Sequence, residues 1–192
     1  MEKILFVDAC VRRESRTRRL AACLLAGLPG EVERVALGEM RLMPLDEETL
    51  EKRNALLTAR AYDHPMFDLA RQFAAADTIV MAAPFWDLSL PACLKTYIEW
   101  VNVVGVTFRY GAGGATVGLC RAKRLIYVSS AGGMVTRDMG YEYVQALCET
   151  LWGIPEIRAL RAEGLDIDGA DVPRILEQAE DAIRREYPPI LR

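Results

Sequence analysis

Short apolar runs alternate with helical patterns along the chain, and this alternation constrains the fold more than any other feature. Three runs are nearly all apolar, as strands buried on both faces are: Lys3–Asp8 and residues 77–83 and 123–130. Residues 31–37 and 154–160 instead alternate polar and apolar side chains, as strands nearer a sheet edge do. Five strands separated by helices predict an α/β protein.

The order of these elements predicts how the strands pair. Parallel strands need long crossover connections, which the helical segments supply, and right-handed crossovers place helices on both faces of the sheet. We therefore expect a three-layer, doubly wound, five-stranded parallel sheet with the flavodoxin-like order 2-1-3-4-5. No repeat or linker interrupts the pattern, so residues 1–192 are expected to form a single domain.

Five segments have helical patterns, and two others do not fit the alternation. Residues 38–61 are charged, with few leucines, and predict an excursion that contains a short helix. Residues 105–118 are rich in glycine and predict an irregular loop. Its Gly111–Gly114 run does not lie between the first strand and its helix, so it is not a dinucleotide fingerprint but a flexible loop. The predicted helices cover residues 15–28, 65–76, 90–104, 137–151 and 171–187.

The charge balance and the apolar runs exclude several classes of partner. Lys and Arg number 24 and Asp and Glu 27, a formal net charge of −3, so no basic surface predicts binding to nucleic acid. No apolar run reaches the roughly 18 to 20 residues that a membrane-spanning helix needs, and the start of the chain lacks a signal-peptide layout. We expect a cytoplasmic protein that binds no membrane.

Cysteine and histidine are too few or too scattered for common catalytic sites. The five cysteines include no Cys-x-x-Cys pair, so neither a disulfide framework nor a metal site is expected. The single histidine, His64, precedes Pro65 and is expected in a loop or as a helix cap. Any enzymatic chemistry must therefore depend on other groups, such as a cofactor.

Arginine and hydroxyl side chains follow the first predicted strand and lead into a helix. Ser15, Arg16 and Thr17 stand at the expected helix N-terminus, after Cys10. Free backbone N–H groups and the helix dipole at such a position favour a phosphate. The alternative is that Ser15 only caps the helix and the arginines are solvated.

Two aromatic residues and one carboxylate follow the third strand. The loop runs from Pro84 through Phe85, Trp86, Asp87 and Leu88, and its prolines make it rigid. A flat wall with one polar group suits a ring-shaped ligand. The alternative is a hydrophobic loop that packs on the core or on a second subunit.

Small residues follow the fourth strand. Ser130, Ala131, Gly132 and Gly133 leave the backbone open to a flat ligand, although a plain tight turn is the alternative. In the predicted sheet all three loops lie at the carboxyl ends of neighbouring strands and border one crevice. Residues 15–17 form an anion cradle, residues 84–88 a flat wall and residues 130–133 a glycine shelf. Together they fit a planar phosphorylated ring, for which FMN is the best candidate.

Three further motifs connect the chain to a known family. Residues 83–88 (APFWDL), 94–97 (LKTY) and 105–110 (GVTFRY) match a pattern that ordinary flavodoxins lack. Along nearly its whole length the chain resembles the FMN-dependent NADH:quinone oxidoreductases of the azoreductase type. The resemblance implies homodimers with two sites at the interface, FMN as cofactor and NADH or NADPH as co-substrate. It also implies ping-pong reduction of quinones or azo compounds.

The resemblance also implies roles for individual residues. Ser15, Arg16 and Thr17 would hold the FMN phosphate, with Cys10 in the place of a frequent serine. The flavin ring would lie between residues 84–88 and residues 130–133. The substrate pocket would include Phe108, Tyr110 and Met134.

Two positions depart from the family pattern. Asp87 replaces an asparagine and places negative charge near the ring, and Ala131 replaces a common arginine, which would reshape access for the substrate. Two other functions fit the same fold: an electron carrier that docks protein partners, and a flavin-free regulatory protein. Strong acidity is typical of such carriers, and a net charge of −3 fits them poorly.

Overall fold

Five parallel strands form the central sheet in the computed structural model, which describes residues 1–190. The strands in chain order are β1 (Lys3–Asp8), β2 (Glu31–Ala36), β3 (Thr78–Ala82), β4 (Phe108–Tyr110), β5 (Thr116–Gly118), β6 (Arg124–Ser130) and β7 (Glu156–Ala162). The sheet order is β2-β1-β3-β6-β7. Because β4 and β5 form a separate hairpin, β6 and β7 are the predicted fourth and fifth strands, and the predicted order is confirmed.

Helices cover both faces of this sheet, as the doubly wound prediction requires. They are α1 (Arg16–Leu25), α2 (Glu47–Thr58), α3 (Asp68–Ala75), α4 (Ala92–Val101), α5 (Met139–Leu147) and α6 (Val172–Glu186). A π-helical turn, Cys148–Trp152, follows α5. Within residues 1–190, no helix combines the length and the apolar character needed to cross a membrane.

Alternate residues of the central strands enter two separate cores. On one face, side chains such as Phe6 and Val80 pack with Leu20 and Leu24 of α1 and with Ile183 of α6. The other face packs against α3, α4 and α5, with buried side chains that include Leu5, Val7, Ile79, Met81, Phe73, Tyr97 and Trp152. This two-sided burial explains why the central strands read as continuous apolar runs.

The charged segment 38–61 contains a longer helix than its sequence predicts. Helix α2 spans 12 residues, is capped by Asp46 and buries none of its own side chains. Arg53 fixes it to the C-terminal end of α4 by donating to the carbonyl oxygens of Glu99, at 3.1 Å, and of Asn102. Hydrogen bonds to α4 therefore hold this segment together with partial apolar packing, in which Leu56 and Leu57 contact the buried cluster of Phe67, Ala70 and Val103.

The glycine-rich segment 105–118 is a β-hairpin, and the predicted irregular loop was wrong. Strands β4 and β5 pair antiparallel, and the run predicted as a flexible loop forms their turn, where Gly113 has a φ of 73°. Gly118 lies against the backbone of Trp152 and Gly153, just before β7 begins. The hairpin therefore lies at the amino-terminal edge of the sheet.

His64 caps a short helical turn, as predicted. Its Nδ1 accepts a hydrogen bond of 3.1 Å from the backbone N–H of Met66, at the start of the 3₁₀ turn Pro65–Phe67. The only histidine of the chain thus has a structural partner.

Gly118 tests the docking of the hairpin. A Cβ at this position would lie 2.3 Å from backbone atoms of Trp152 and Gly153, which have no flexible side chain to move aside. We expect Gly118→Ala to lower the free energy of unfolding by about 2 kcal/mol through overpacking, measured by urea denaturation. In the same hairpin, a Cβ on Gly111 would find contacts of 3.4 Å, so Gly111→Ala is the matched control. Equal stability of the two variants would contradict this packing.

Candidate functional site

A cleft of about 720 Å³ opens at the carboxyl ends of β1, β3 and β6, where the predicted crevice lies. Four loops, which follow β1, β3, β6 and β7, form its walls together with the first turn of α1 and one residue of α6. The lining residues are Val11, Arg12, Glu14, Ser15, Arg16, Thr17, Arg19, Pro84, Phe85, Trp86, Ser130, Ala131, Gly132, Asp166 and Leu176. The fold therefore brings together nine of the predicted site residues from three distant parts of the chain.

At the end of the cleft nearest α1 lies a run of backbone N–H groups without protein acceptors within residues 1–190. Within residues 1–190, the N–H groups of residues 11–17 donate no hydrogen bond. Ser15 caps α1 by accepting from the N–H of Arg18 at 3.2 Å, and the first turn of α1 holds no acidic residue. Unpaired donors at a helix N-terminus, without a competing carboxylate in that turn, are suited to a dianion.

Two hydroxyl groups join the walls of the cleft. Thr17 Oγ1 and Ser130 Oγ lie 2.7 Å apart, although these residues are 113 positions apart in the sequence. Thr17 is almost fully buried. One hydrogen bond thus ties the first turn of α1 to the end of β6, and each oxygen retains capacity for a ligand.

The aromatic wall rests on a strained tight turn. Trp86 and Ser89 exchange backbone hydrogen bonds of 3.0 and 2.8 Å, and the two residues between them, Asp87 and Leu88, have φ values of 51° and 63°. Positive φ at both central positions is the type I′ pattern, which costs a leucine about 1 kcal/mol. The carbonyl of Leu88 accepts from the N–H of Met139 at 2.9 Å, so α5 holds the turn in place.

The segment after β7 holds the glycine shelf. Backbone hydrogen bonds join Leu165 to Ala131 at 3.2 Å and Asp166 to Gly132 at 2.8 Å. A Cβ on Gly132 would lie 2.4 Å from Asp166 Oδ2, the end of an exposed side chain that can move aside, so the backbone hydrogen bonds fix this approach. The shelf is therefore a fixed surface rather than a free turn.

An ion pair connects the two ends of the cleft. Arg16 donates to Asp166 Oδ1 at 2.6 Å and to the carbonyl of Leu165 at 3.3 Å. Both side chains are partly exposed, so the pair contributes little to stability. It does place the Arg16 guanidinium beside Gly132, between the helix N-terminus and the shelf.

A buried carboxylate lies behind the loop that joins β1 to α1. Asp8 ends β1, and its side chain is fully inaccessible. It accepts from Arg18 Nε at 2.7 Å, from Arg34 Nη2 at 2.7 Å and from the backbone N–H of Cys10 at 3.0 Å. Burial alone would raise the pKa of Asp8, but these hydrogen bonds outweigh it and hold the pKa below its usual value.

Cys10 does not line the cleft. Its side chain is buried, and its Sγ lies 3.8 Å from the carbonyl oxygen of Ala82. Burial raises the pKa of the Cys10 thiol to about 12, so it stays neutral. The expected phosphate ligand is thus a packing residue, because its side chain faces β3 behind the cleft.

The remaining predicted residues lie near the cleft or far from it. Asp87 and Gly133 adjoin lining residues but do not line the cleft themselves, and Leu88 follows Asp87 in the same turn. Met134 is 69% exposed on the same loop as Gly133. Phe108 and Tyr110 lie in the hairpin, at the opposite edge of the sheet. Within one subunit they do not share a pocket with the other candidates.

Several lining residues were missed by the sequence reasoning, and Asp166 is the most informative. It lies in the loop after β7, whereas the ligand crevice was expected after the first, third and fourth strands only. The signal was present: Gly164, Asp166, Asp168 and Gly169 form a polar, glycine-containing loop at the same carboxyl edge. The sequence analysis considered only the loops after the first, third and fourth strands, and so it overlooked this loop after the fifth.

A second groove, of about 780 Å³, lies between β2 and α3. Its floor includes Leu5, Leu69 and Ala76, and charged side chains such as Glu31 and Glu33 form its rim. It lies away from the loops at the carboxyl edge. No cluster of His, Cys, Asp and Glu side chains that could hold a metal ion is found in residues 1–190.

The sheet order and the cleft at its carboxyl edge define a protein of the flavodoxin-like class. A family profile described as "Flavodoxin-like fold" matches residues 2–186. The FMN-dependent NADH:quinone oxidoreductase 2 of Clostridium acetobutylicum is 33% identical to the chain over an alignment of 199 positions, gaps included. The alignment covers 97% of this chain and 98% of that protein. The chain therefore belongs to the flavodoxin-like family of the FMN-dependent NADH:quinone oxidoreductases, which confirms the predicted resemblance.

Other comparisons agree. The FMN-dependent NADH:quinone oxidoreductase of Clostridium beijerinckii is 42% identical over 123 residues, 62% of this chain and 61% of that protein. Among solved structures, an azoreductase of Bacillus anthracis superposes with a TM-score of 0.83 at 24% identity, covering 97% of this chain and 99% of that one. At this identity the solved structure shows the fold alone.

Asp8 makes the stability of the site depend on pH. Because its pKa is lowered on folding, its contribution is present above about pH 3.9, the unfolded value, and is lost as the pH falls through the folded pKa. We expect Asp8→Asn to lower the free energy of unfolding by about 2 kcal/mol at pH 7, with the deficit shrinking below pH 4, measured by urea denaturation.

The control is Asp181→Asn, which removes an exposed carboxylate that pairs with Arg184 on α6. It should cost less than about 0.5 kcal/mol at any pH. A deficit in Asp8→Asn that is the same at pH 7 and pH 3 would show that the ionised carboxylate is not the stabilising species.

Proposed function

We propose that this protein is an FMN-dependent NAD(P)H oxidoreductase that reduces quinones, azo compounds or similar electrophiles. One observation carries the proposal: an aromatic-walled cleft ends at the loop and helix start of residues 11–17, whose backbone N–H groups have no protein acceptor within residues 1–190. Those donors fit a phosphate and the flat walls fit a ring, so the residues present suit FMN. The names of the relatives, FMN-dependent NADH:quinone oxidoreductases, support the same reading.

In this proposal the chain binds and orients its ligands. Ser15, Arg16 and Thr17 hold the phosphate, and the ring lies between Phe85 and Trp86 on one side and the shelf at Gly132 on the other. FMN held by these residues would supply the redox chemistry between NADH or NADPH and the electrophile. Both substrates use the same cleft in turn, which gives ping-pong kinetics.

We infer that the working form is a homodimer whose sites lie at the interface. Large apolar side chains stand exposed beside the cleft: Trp86 at 37%, Leu88 at 56% and Met139 at 49%. Apolar surface of this kind around a ligand site supports cover by a second copy. Phe108 and Tyr110, distant from the cleft of their own subunit, contribute to a substrate pocket only from the partner copy.

We also infer that the protein works in the cytoplasm, where NADH and NADPH are available to it. The weakly acidic sequence and the free state of its cysteines within residues 1–190 support this location. The electron-carrier and flavin-free alternatives have no observation of their own in their favour.

Turnover tests the proposal directly. Purified protein supplied with FMN should oxidise NADH or NADPH in the presence of a small quinone, with parallel double-reciprocal plots as either substrate is varied. A protein that stays colourless after FMN is added would point to the flavin-free alternative. Flavin binding without NAD(P)H-dependent turnover of quinones or azo dyes would point to the carrier.

Asp87 tests the electrostatics near the ring. Its carboxylate forms no ion pair within residues 1–190, so its negative charge opposes the addition of electrons to a neighbouring flavin. We expect Asp87→Asn to raise the midpoint potential of bound FMN by roughly 20 mV, which corresponds to about 1 kcal/mol for two electrons. Asparagine also tolerates the positive φ at this position.

Asp168→Asn is the matched control, since it removes another exposed carboxylate from a loop at the same edge of the sheet. It should leave the potential unchanged. A potential that falls, or stays constant, in Asp87→Asn would overturn the role of its charge.

A further inference from the structure

Arg18 contacts the loop before α1 from behind and does not line the cleft. Its Nε donates to the buried carboxylate of Asp8, its Nη1 donates to the carbonyls of Arg12 and Arg13 at 2.9 and 3.0 Å, and its Nη2 donates to the carbonyl of Cys10. One guanidinium group therefore fixes three peptide units of a loop that has no regular secondary structure.

The direction of these carbonyls determines the direction of the N–H groups. A trans peptide unit is planar, so its N–H points away from the side to which its C=O points. The carbonyls of Cys10 and Arg13 face Arg18, so the N–H groups of Val11 and Glu14 face away from it. Val11 and Glu14 both line the cleft, and neither N–H has an acceptor within residues 1–190.

Only an arginine can make this set of contacts. The guanidinium presents five donors in a fixed plane, whereas a lysine is a point charge that would satisfy one or two of the four acceptors. Asp8 holds the guanidinium in its place, and Arg34 binds the same carboxylate from β2 without contacting the loop carbonyls. The two arginines thus share a partner but differ in their contacts with the loop.

We propose that Arg18 is a positioning residue for phosphate recognition: it turns the backbone N–H groups of Val11 and Glu14 towards the phosphate of the flavin without touching the ligand. The inference rests on the proposed function, because the phosphate belongs to FMN. According to this inference, the Arg18 side chain, which Asp8 holds in place, orients the backbone donors of the irregular loop between β1 and α1.

Comparison of FMN with riboflavin isolates the phosphate. Flavin-free protein is titrated with each ligand by quenching of flavin fluorescence, for the wild type, Arg18→Lys, Arg18→Gln and Arg34→Lys. We expect both Arg18 variants to raise the Kd for FMN about tenfold, the loss of about 1.4 kcal/mol in hydrogen bonding, with the Kd for riboflavin changed less than about twofold. Arg34→Lys keeps the charge beside Asp8 and the loop contacts, and its FMN affinity should match the wild type.

The remaining outcomes separate the possible failures. Equal losses of FMN and riboflavin affinity in the Arg18 variants would show a merely structural role and overturn the proposal. So would a selective FMN loss in Arg34→Lys equal to that in Arg18→Lys, because the hydrogen bonds to Asp8, rather than those to the loop carbonyls, would then explain both. A wild type that binds FMN no better than riboflavin would refute the phosphate cradle, and with it the proposed function, before Arg18 is considered. Thermal unfolding shows whether each variant is folded. If Arg18→Lys does not fold, the flavin affinities of Arg18→Gln test the proposal instead.

Discussion

The cleft depends on one buried carboxylate and the two guanidinium groups that neutralise it. A charged Asp8 at the end of the first strand would be costly to bury alone, but Arg18, Arg34 and the N–H of Cys10 together satisfy it. The same arrangement fixes Arg18, which in turn organises the loop that begins the cleft. The ion pair that satisfies Asp8 in the interior therefore also orients the backbone N–H groups of the loop at the surface.

Topology supplies the rest of the site. In a parallel sheet every strand ends at the same edge, so loops far apart in sequence meet there, and the hydrogen bond between Thr17 and Ser130 joins two of them. The aromatic turn is held by α5 through the bond from Met139 to Leu88, at the expense of two positive φ values. The single histidine of the chain serves as a helix cap. The chain therefore contributes rigid walls and fixed hydrogen-bond donors, and a cofactor carries the chemistry.

The sequence predicted the sheet order and most of the cleft because apolar periodicity and topology determine both. It misplaced what depends on side-chain direction: Cys10 was expected to face a phosphate but packs against β3. It missed Asp166 because the loop after the fifth strand was not considered, although backbone pairing with the loop after β6 brings that residue to the cleft. Packing of Gly118 against Trp152 produced a hairpin where local composition indicated an irregular segment, since long-range contacts override local preference there.

The most direct measurement is the response of the backbone amides to the two flavins, followed by ¹H–¹⁵N NMR. The account predicts that FMN shifts the amide resonances of residues 11–17 as well as those near Phe85, Trp86 and Gly132, while riboflavin shifts only the latter group. Amides of residues 11–17 that do not respond to FMN, or respond equally to riboflavin, would contradict the claim that this loop binds the phosphate through its backbone.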